Sequence, residues 1–456
     1  MKKAWLFVAL AALVGSAIST FADVQNIRLS GDIRIRGYYL INADGDDDEQ
    51  LEGTDSYISQ RTRVTVEADL EDHVLVVVTL KAEGLWGADN QTDDVEPGSG
   101  AGLADSESSD DLINRRWDVG VTEAYVQFNE MFYTAATLKL GKQYLHYGRG
   151  LIFSSVEQEY NYDAARLVLD FYPLTLDLVY ALVEENSPFG HQDLGVSPND
   201  IHVAFVNARY EMTDSAIKDI EMYFGWLINS QPLDAERRAP PSTGGGSPMI
   251  IGIRSDINLT ENLETWVEGA YEWGPDGFAG SETISAWIAN VGGRFTFKDA
   301  GMSPALNANL IWASGGGSDS ENAFRPWFDY ADGYNGYVFS PNLSNIIIIN
   351  LGASVKPAEN TTLSLQGYYY MSPDRDGSFL DGSNPNVDNG GIGPNPTASD
   401  KELGWEVDGI ISYDYSKDVT LQLVYGVFIP GNRFSENDAY GARLIQEVRG
   451  EVNVRF

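Results

Sequence analysis

The sequence predicts an all-β protein: a transmembrane antiparallel β-barrel of about 18 strands, with short periplasmic turns and long extracellular loops. Three observations predict it. Strand-length segments with period-2 apolar spacing recur along the chain. The connections between them alternate between short and long. The last segment, ARLIQEVRGEVNVRF from Ala442 to Phe456, is apolar on one face and charged on the other, and stops on an aromatic residue.

The N-terminus comes first in the argument. Lys2 and Lys3 precede an apolar run from Ala4 to Ile18, and small residues follow at Ser19 to Ala22. This is the order of a secretory signal peptide, with residues 1–22 removed and residues 23–456 forming the barrel. The run is too short to be a comfortable spanning helix. Without Cys there is no lipid anchor on a thiol, no disulfide framework and no thiolate metal site. A formal net charge of −37 argues against nucleic acid as a partner, which requires a basic footprint.

Strands are expected near 26–42, 54–70, 73–87, 117–129, 135–145, 161–172, 174–185, 200–212, 216–230, 249–259, 262–274, 282–298, 302–314, 343–357, 361–373, 401–415, 418–430 and 441–456. Connections such as Glu71-Asp72, Tyr172-Pro173, Thr213-Asp214, Thr260-Glu261 and Ser416-Lys417 are tight. Between them come long polar tracts, including 43–53, 88–116, 146–160, 186–199, 231–248, 315–342, 374–400 and 431–440. A soluble sandwich has no reason to keep this alternation, whereas a membrane supplies one.

Strand faces agree. In the first strand Leu29, Ile33, Ile35 and Tyr39 alternate with Arg28, Asp32, Arg34 and Arg36. In the ninth, Met222, Phe224 and Trp226 alternate with Glu221, Tyr223 and Gly225. The apolar sets face lipid and a closed barrel pairs every backbone group. Tyr39, Trp86, Tyr172, Tyr271, Trp273, Tyr369, Tyr413 and Tyr425 fall where interfacial aromatic girdles belong. Strand propensity alone also enriches aromatics. The closing strand, ending in Phe456, is of the kind read by the outer-membrane barrel assembly machinery.

Catalytic patterns are absent from the sequence: no His-x-x-x-His, no Gly-x-Ser-x-Gly and no phosphate loop. His146 near Ser154 is the best available nucleophile–base pair, and it does not make an enzyme of the chain. The informative residues are charges on the inward faces. Arg443, Arg449 and Arg455 on the last strand adjoin Arg34 and Arg36 on the first and Arg61 and Arg63 on the second once the barrel closes. Lys81 follows on the third. Acids gather elsewhere, with Glu264 and Glu268 on the eleventh strand and Glu406 and Asp408 on the sixteenth. Such a separation sets a field across a pore and tunes which ions and solutes pass. Mutual pairing that rigidifies a wall is the plainer reading of the same charges.

Loops carry most of the negative balance. Asp44, Asp46 and Asp48 lie in a DGDDDE run whose oxygens suit Ca²⁺, although the spacing is not that of an EF-hand. A solvated acidic loop is the simpler reading. The stretch from Tyr147 to Phe153, YGRGLIF, is apolar and punctuated by glycine, and is expected to fold back into the pore as a constriction.

Two stretches resemble the alginate-export family of bacterial outer-membrane barrels. One is Leu403-Gly404-Trp405-Glu406-Val407-Asp408 with YDYSKDVTLQLVYGVFIPG at 413–431. The other is LKLGKQYLHYGRGLIF at 138–153. The resemblance implies an 18-stranded barrel passing an anionic polysaccharide outward through an Arg-lined lumen. It assigns Arg34, Arg36, Arg61, Arg63, Arg149 and Arg443 to the solute path, with Arg449 beside them. It implies no cofactor. Its expected partners are outer-membrane lipid, lipopolysaccharide and periplasmic polysaccharide-secretion proteins. Uptake of small anions or sugars as a porin, and a structural sheath around a periplasmic partner, are the alternatives left open.

Overall fold

The computed structural model describes residues 25–42, 54–71, 73–87, 117–154, 161–184, 201–228, 247–275, 283–316, 322–324, 326–327, 335–374, 400–435 and 444–456. The strands are β1 (Asn26–Ile41), β2 (Asp55–Asp69), β3 (Val74–Leu85), β4 (Asp118–Phe128), β5 (Ala136–Gln143), β6 (Tyr162–Phe171), β7 (Leu174–Glu184), β8 (Ile201–Glu211), β9 (Ile217–Ile228), β10 (Met249–Asn258), β11 (Leu263–Pro275), β12 (Thr283–Thr296), β13 (Ala305–Ala313), β14 (Ile346–Ala358), β15 (Thr361–Met371), β16 (Glu402–Ser416), β17 (Val419–Pro430) and β18 (Ile445–Arg455). Each pairs antiparallel with its neighbours in sequence, and β1 pairs with β18 from Asp32↔Arg455 to Ile41↔Gln446, which closes the 18-stranded sheet. Every strand matches a segment expected from the sequence to within a few residues.

Period-2 alternation does the sorting. On β9 the even residues Met222, Phe224 and Trp226 are exposed while Glu221, Tyr223 and Leu227 are buried. The exposed row continues around the barrel through Ile251 and Ile253, Val267 and Tyr271, Leu351, Leu365, Trp405 and Val407, Leu423 and Tyr425. A contiguous apolar belt of this kind is a lipid-facing surface, not a soluble exterior. Among the described residues no helix is long and apolar enough to cross a membrane, so the crossing is made by strands. Tyr39, Trp86, Tyr172, Tyr271, Tyr413 and Tyr425 are exposed. Tyr271 lies beside Trp273 and Tyr369 beside Trp405 in that outward row.

The ends of the chain meet at the turn side. Gly31 N–H donates to the Phe456 carbonyl at 2.8 Å, and Phe456 N–H donates to the Gly31 carbonyl at 3.0 Å. Gly31 must lack a side chain, because a Cβ there would strike the Phe456 ring and the Arg63 carbonyl.

The buried apolar core lies inside the barrel. It forms where two long connections turn inward. Residues 144–154 place Leu145, Tyr147, Leu151, Ile152 and Phe153 against Tyr162, Phe205 and Tyr223. The fold-back expected for Tyr147–Phe153 is therefore present. The second inward connection, between β13 and β14, was expected to be a polar outer tract over 315–342. Instead its described part carries Phe324, Trp327, Val338, Phe339 and Leu343 into the core with Tyr368, Tyr370 and Phe428. The physical reason is that spaced aromatics, diluted among Gly, Ser and Asp, find apolar partners only on the barrel's inner wall.

Candidate functional site

The inward faces of β18, β1, β2 and β3 form one strip of alternating charge. In register, Arg34 stands opposite Arg61, Asp32 opposite Arg63, and Arg63 opposite Lys81. Like charges directly across a strand pair repel. Acids interleaved in the strip offset this. Asp32 holds Arg63 at 2.6 Å and Arg61 at 3.5 Å. Glu83 lies 3.5 Å from Arg34 and 3.2 Å from Lys81. Glu451 pairs with Arg36 at 2.5 Å, and Glu447 with Arg449 at 3.4 Å. Away from its turn end, and among the described residues, the strip thus gathers Arg34, Arg36, Arg61, Arg63, Lys81 and Arg449 around Asp32, Glu83, Glu447 and Glu451, six cations to four acids. At its turn end Arg28 pairs with Glu67 at 2.8 Å and Asp69 at 2.7 Å.

Arg149 does not join this strip. Its loop carries it to the wall of β9 to β11, where its guanidinium lies 4.4 Å from the Trp266 ring centroid and 3.6 Å from Asp256. Arg443 and the acidic run with Asp44, Asp46 and Asp48 lie outside the described residues. No group of three or more metal-ligating side chains occurs among the described residues.

The acids on the other walls have a use that sequence spacing does not disclose: they hold the inward loops by their backbone. Gly148 N–H donates to Glu221 at 3.0 Å, and Arg149 N–H to Glu268 at 2.8 Å, where the Tyr223 hydroxyl also donates at 2.9 Å. Gly148 is left-handed at φ 60°, and a Cβ there would strike the Glu268 carboxylate. The second loop repeats the device. Glu406 takes the N–H groups of Tyr337, Val338 and Phe339 at 2.6, 2.9 and 2.7 Å. Trp327 donates its indole N–H to Glu272 at 3.0 Å. Successive N–H groups around a carboxylate make a tight anion nest. Glu268, Glu272, Glu406 and Asp408 are at most 1 % exposed. Glu264 is exposed nearer the turns, opposite Arg294 in register.

Three other inward cations are paired locally, Arg166 with Asp177 at 2.5 Å, Arg209 with Asp219 at 2.6 Å, and Arg254 with Glu221 at 2.9 Å. His146 enters the lumen on the first inward loop. Burial pushes its imidazole below the ordinary histidine range, with Arg254 and Arg149 acting the same way and Glu221 opposing them. His146 and Ser154 both pack around Gly150. What the inner surface can do chemically is sort charge. Glu221, Glu268, Glu272 and Glu406 are engaged by loop N–H groups and indole, whereas on β18 to β3 the described cations outnumber the described acids.

Solved structures with this fold include outer-membrane porins of Pseudomonas aeruginosa. OccK2 (OpdF), in complex with glucuronate, superposes with a TM-score of 0.56 at 10 % identity, covering 95 % of this chain and 97 % of that one. OpdK with vanillate gives 0.54 at 13 % identity, covering 94 % and 98 %. OpdL gives 0.54 at 14 % identity, covering 94 % and 98 %. No curated protein sequence matches the chain. The sequence profile described as alginate export matches residues 27–444, nearly the whole chain. An 18-stranded closed sheet, an apolar outer belt, a charged inner surface and that match lead to one assignment: the chain belongs to the alginate-export family and is an outer-membrane β-barrel channel.

Proposed function

We propose that this channel passes an anionic polysaccharide outward across the outer membrane, guided by the arginine strip of β18, β1 and β2. The observation that carries the reading is the Arg34–Arg61 and Arg63–Lys81 cross-strand pairing on the inner face. A fold that places like charges opposite one another gains when a mobile carboxylate enters between them. Guanidinium forks bind carboxylates in plane and keep their charge at any physiological pH. A chain of uronates offers carboxylates in series, to match a series of forks. Outward passage, the 1–22 leader and periplasmic secretion partners belong to this same proposal, as does assembly through the strand ending in Phe456.

Uptake of small carboxylates is the second reading. It is favoured by the OccK2 likeness, since that porin's structure holds glucuronate. A sheath around a periplasmic protein is not favoured, because inward loops fill lumen that such a partner would need.

Planar-bilayer recording on the purified barrel tests the proposal. An anion-selective zero-current potential is expected, with current blockades by oligouronates. Arg61→Ala plus Arg63→Ala should weaken the blockades about tenfold, the equivalent of one guanidinium–carboxylate contact. Cation-selective current that ignores oligouronates and both substitutions would sink the idea. Blockade by monomeric uronate alone, with oligomers excluded, favours uptake.

A further inference from the structure

Toward the long-loop end, the inner face changes from charged to aromatic. Tyr38 follows Arg34 and Arg36 on the inward face of β1 and stands in register with Tyr57 on β2 and Arg449 on β18. The Tyr38 and Tyr57 rings stack, with centroids 4.6 Å apart and planes 23° apart. Arg449 lies 5.7 Å from the Tyr38 ring centroid and 4.4 Å from that of Tyr337. Tyr337 stands on the second inward loop, where its N–H is pinned by Glu406. Two walls and a loop therefore bring three phenol rings around one guanidinium, and none of the three rings is fully buried.

Capture of carboxylates alone does not call for these rings, since guanidinium forks suffice. An aromatic face adds binding where the solute presents a flat apolar surface with polar edges. A pyranose ring is such a body: its C–H face packs on a π-face, and its hydroxyls meet phenol O–H groups that donate and accept. The four residue steps from Arg34 to Tyr38 span about 13 Å of strand, so one extended oligosaccharide reaches both regions.

We propose that Tyr38, Tyr57 and Tyr337, gathered by Arg449, form a stacking subsite for the flat face of a sugar ring at the outer end of the arginine strip. The proposal rests on the reading of the lumen as a carbohydrate path, and adds ring recognition to charge recognition. Blockade dwell times in planar bilayers test it with three probes: an oligouronate, a neutral oligoglucoside of equal length, and an oligoglutamate that has charge without rings. Tyr38→Leu plus Tyr57→Leu should shorten the dwell of both saccharides about tenfold and leave the oligoglutamate dwell unchanged. Tyr38→Phe plus Tyr57→Phe keeps the rings and should keep most of the dwell. Tyr337→Ser, on the loop and outside the strand ladders, should shorten saccharide dwell severalfold, which covers the case in which the double Leu barrel does not assemble. Equal dwell for saccharides in wild type and variants overturns the proposal, as does an equal loss for all three probes, the signature of rings that merely pack a loop. The charge reading is judged separately, by zero-current potential and by Arg61→Ala plus Arg63→Ala, so either idea can fail alone.

Discussion

At the scale of single residues, the same side-chain type serves opposite ends. Asp32 and Glu451 sit among arginines and soften their repulsion. Glu406, chemically alike, is fully buried and spends both oxygens on loop N–H groups. Glu406→Gln tests that difference. An amide has one carbonyl oxygen and would turn an NH₂ toward N–H donors, so charge-assisted bonds are lost and a donor clash is gained. The expected cost to loop docking is about 3 kcal/mol. Single-channel conductance should rise severalfold as the loop between β13 and β14 leaves the lumen, and unchanged conductance would show that Glu406 does not hold it. Arg34 and Arg61 were recognisable from alternation alone, since period 2 fixes the face of each residue once the strand is placed. The anchoring role of Glu406 and Glu268 was not, because their partners are backbone N–H groups of distant loops, and a backbone donor leaves no mark in residue identity. Tyr38 is legible by the same rule: in Arg34-Ile35-Arg36-Gly37-Tyr38, period 2 puts it on the arginine face.

At the scale of elements, strands and loops obey different rules of legibility. All 18 strands were readable because a membrane barrel imposes both a length and an alternation on each. The inward loops follow no period. YGRGLIF could be picked out because its apolar residues are contiguous, whereas Phe324, Trp327, Val338 and Phe339 are scattered through a polar tract. Gly148→Ala probes the first loop. The new methyl group meets the Glu268 carboxylate and a left-handed backbone, so the loop should undock. Proteolysis of intact barrels near 148–153 should accelerate, and protection equal to wild type would contradict the docking. The closing strand offers a second test. Deleting Phe456 removes both backbone bonds to Gly31, worth about 2 kcal/mol together, and the ring that packs beside it. Heat-modifiability gels should show a smaller folded fraction, while a deletion with wild-type folding would show that the Phe456–Gly31 contacts do not hold the seam.

At the scale of the whole molecule, a chain of formal charge −37 has one inner strip whose described cations outnumber its described acids. These statements are compatible because the acids are unequally available. Glu221, Glu268, Glu272 and Glu406 are buried beneath docked loops, and the described acids of the strip are outnumbered by its described cations. Selectivity set by such local geometry, and not by net charge, carries a definite salt dependence. Screening lengths fall from about 10 Å at 0.1 M to about 3 Å at 1 M. Zero-current potentials under a fixed salt gradient should be anion-selective at low ionic strength and shrink toward zero as both baths approach 1 M. Arg34→Ala combined with Arg61→Ala removes two cations from the strip, so the low-salt potential should lose most of its anion preference without a change in barrel assembly. If the potential instead turned cation-selective on lowering the salt in the unaltered protein, the acidic loops rather than the inner strip would govern entry, and the path of the solute would have to be sought along them.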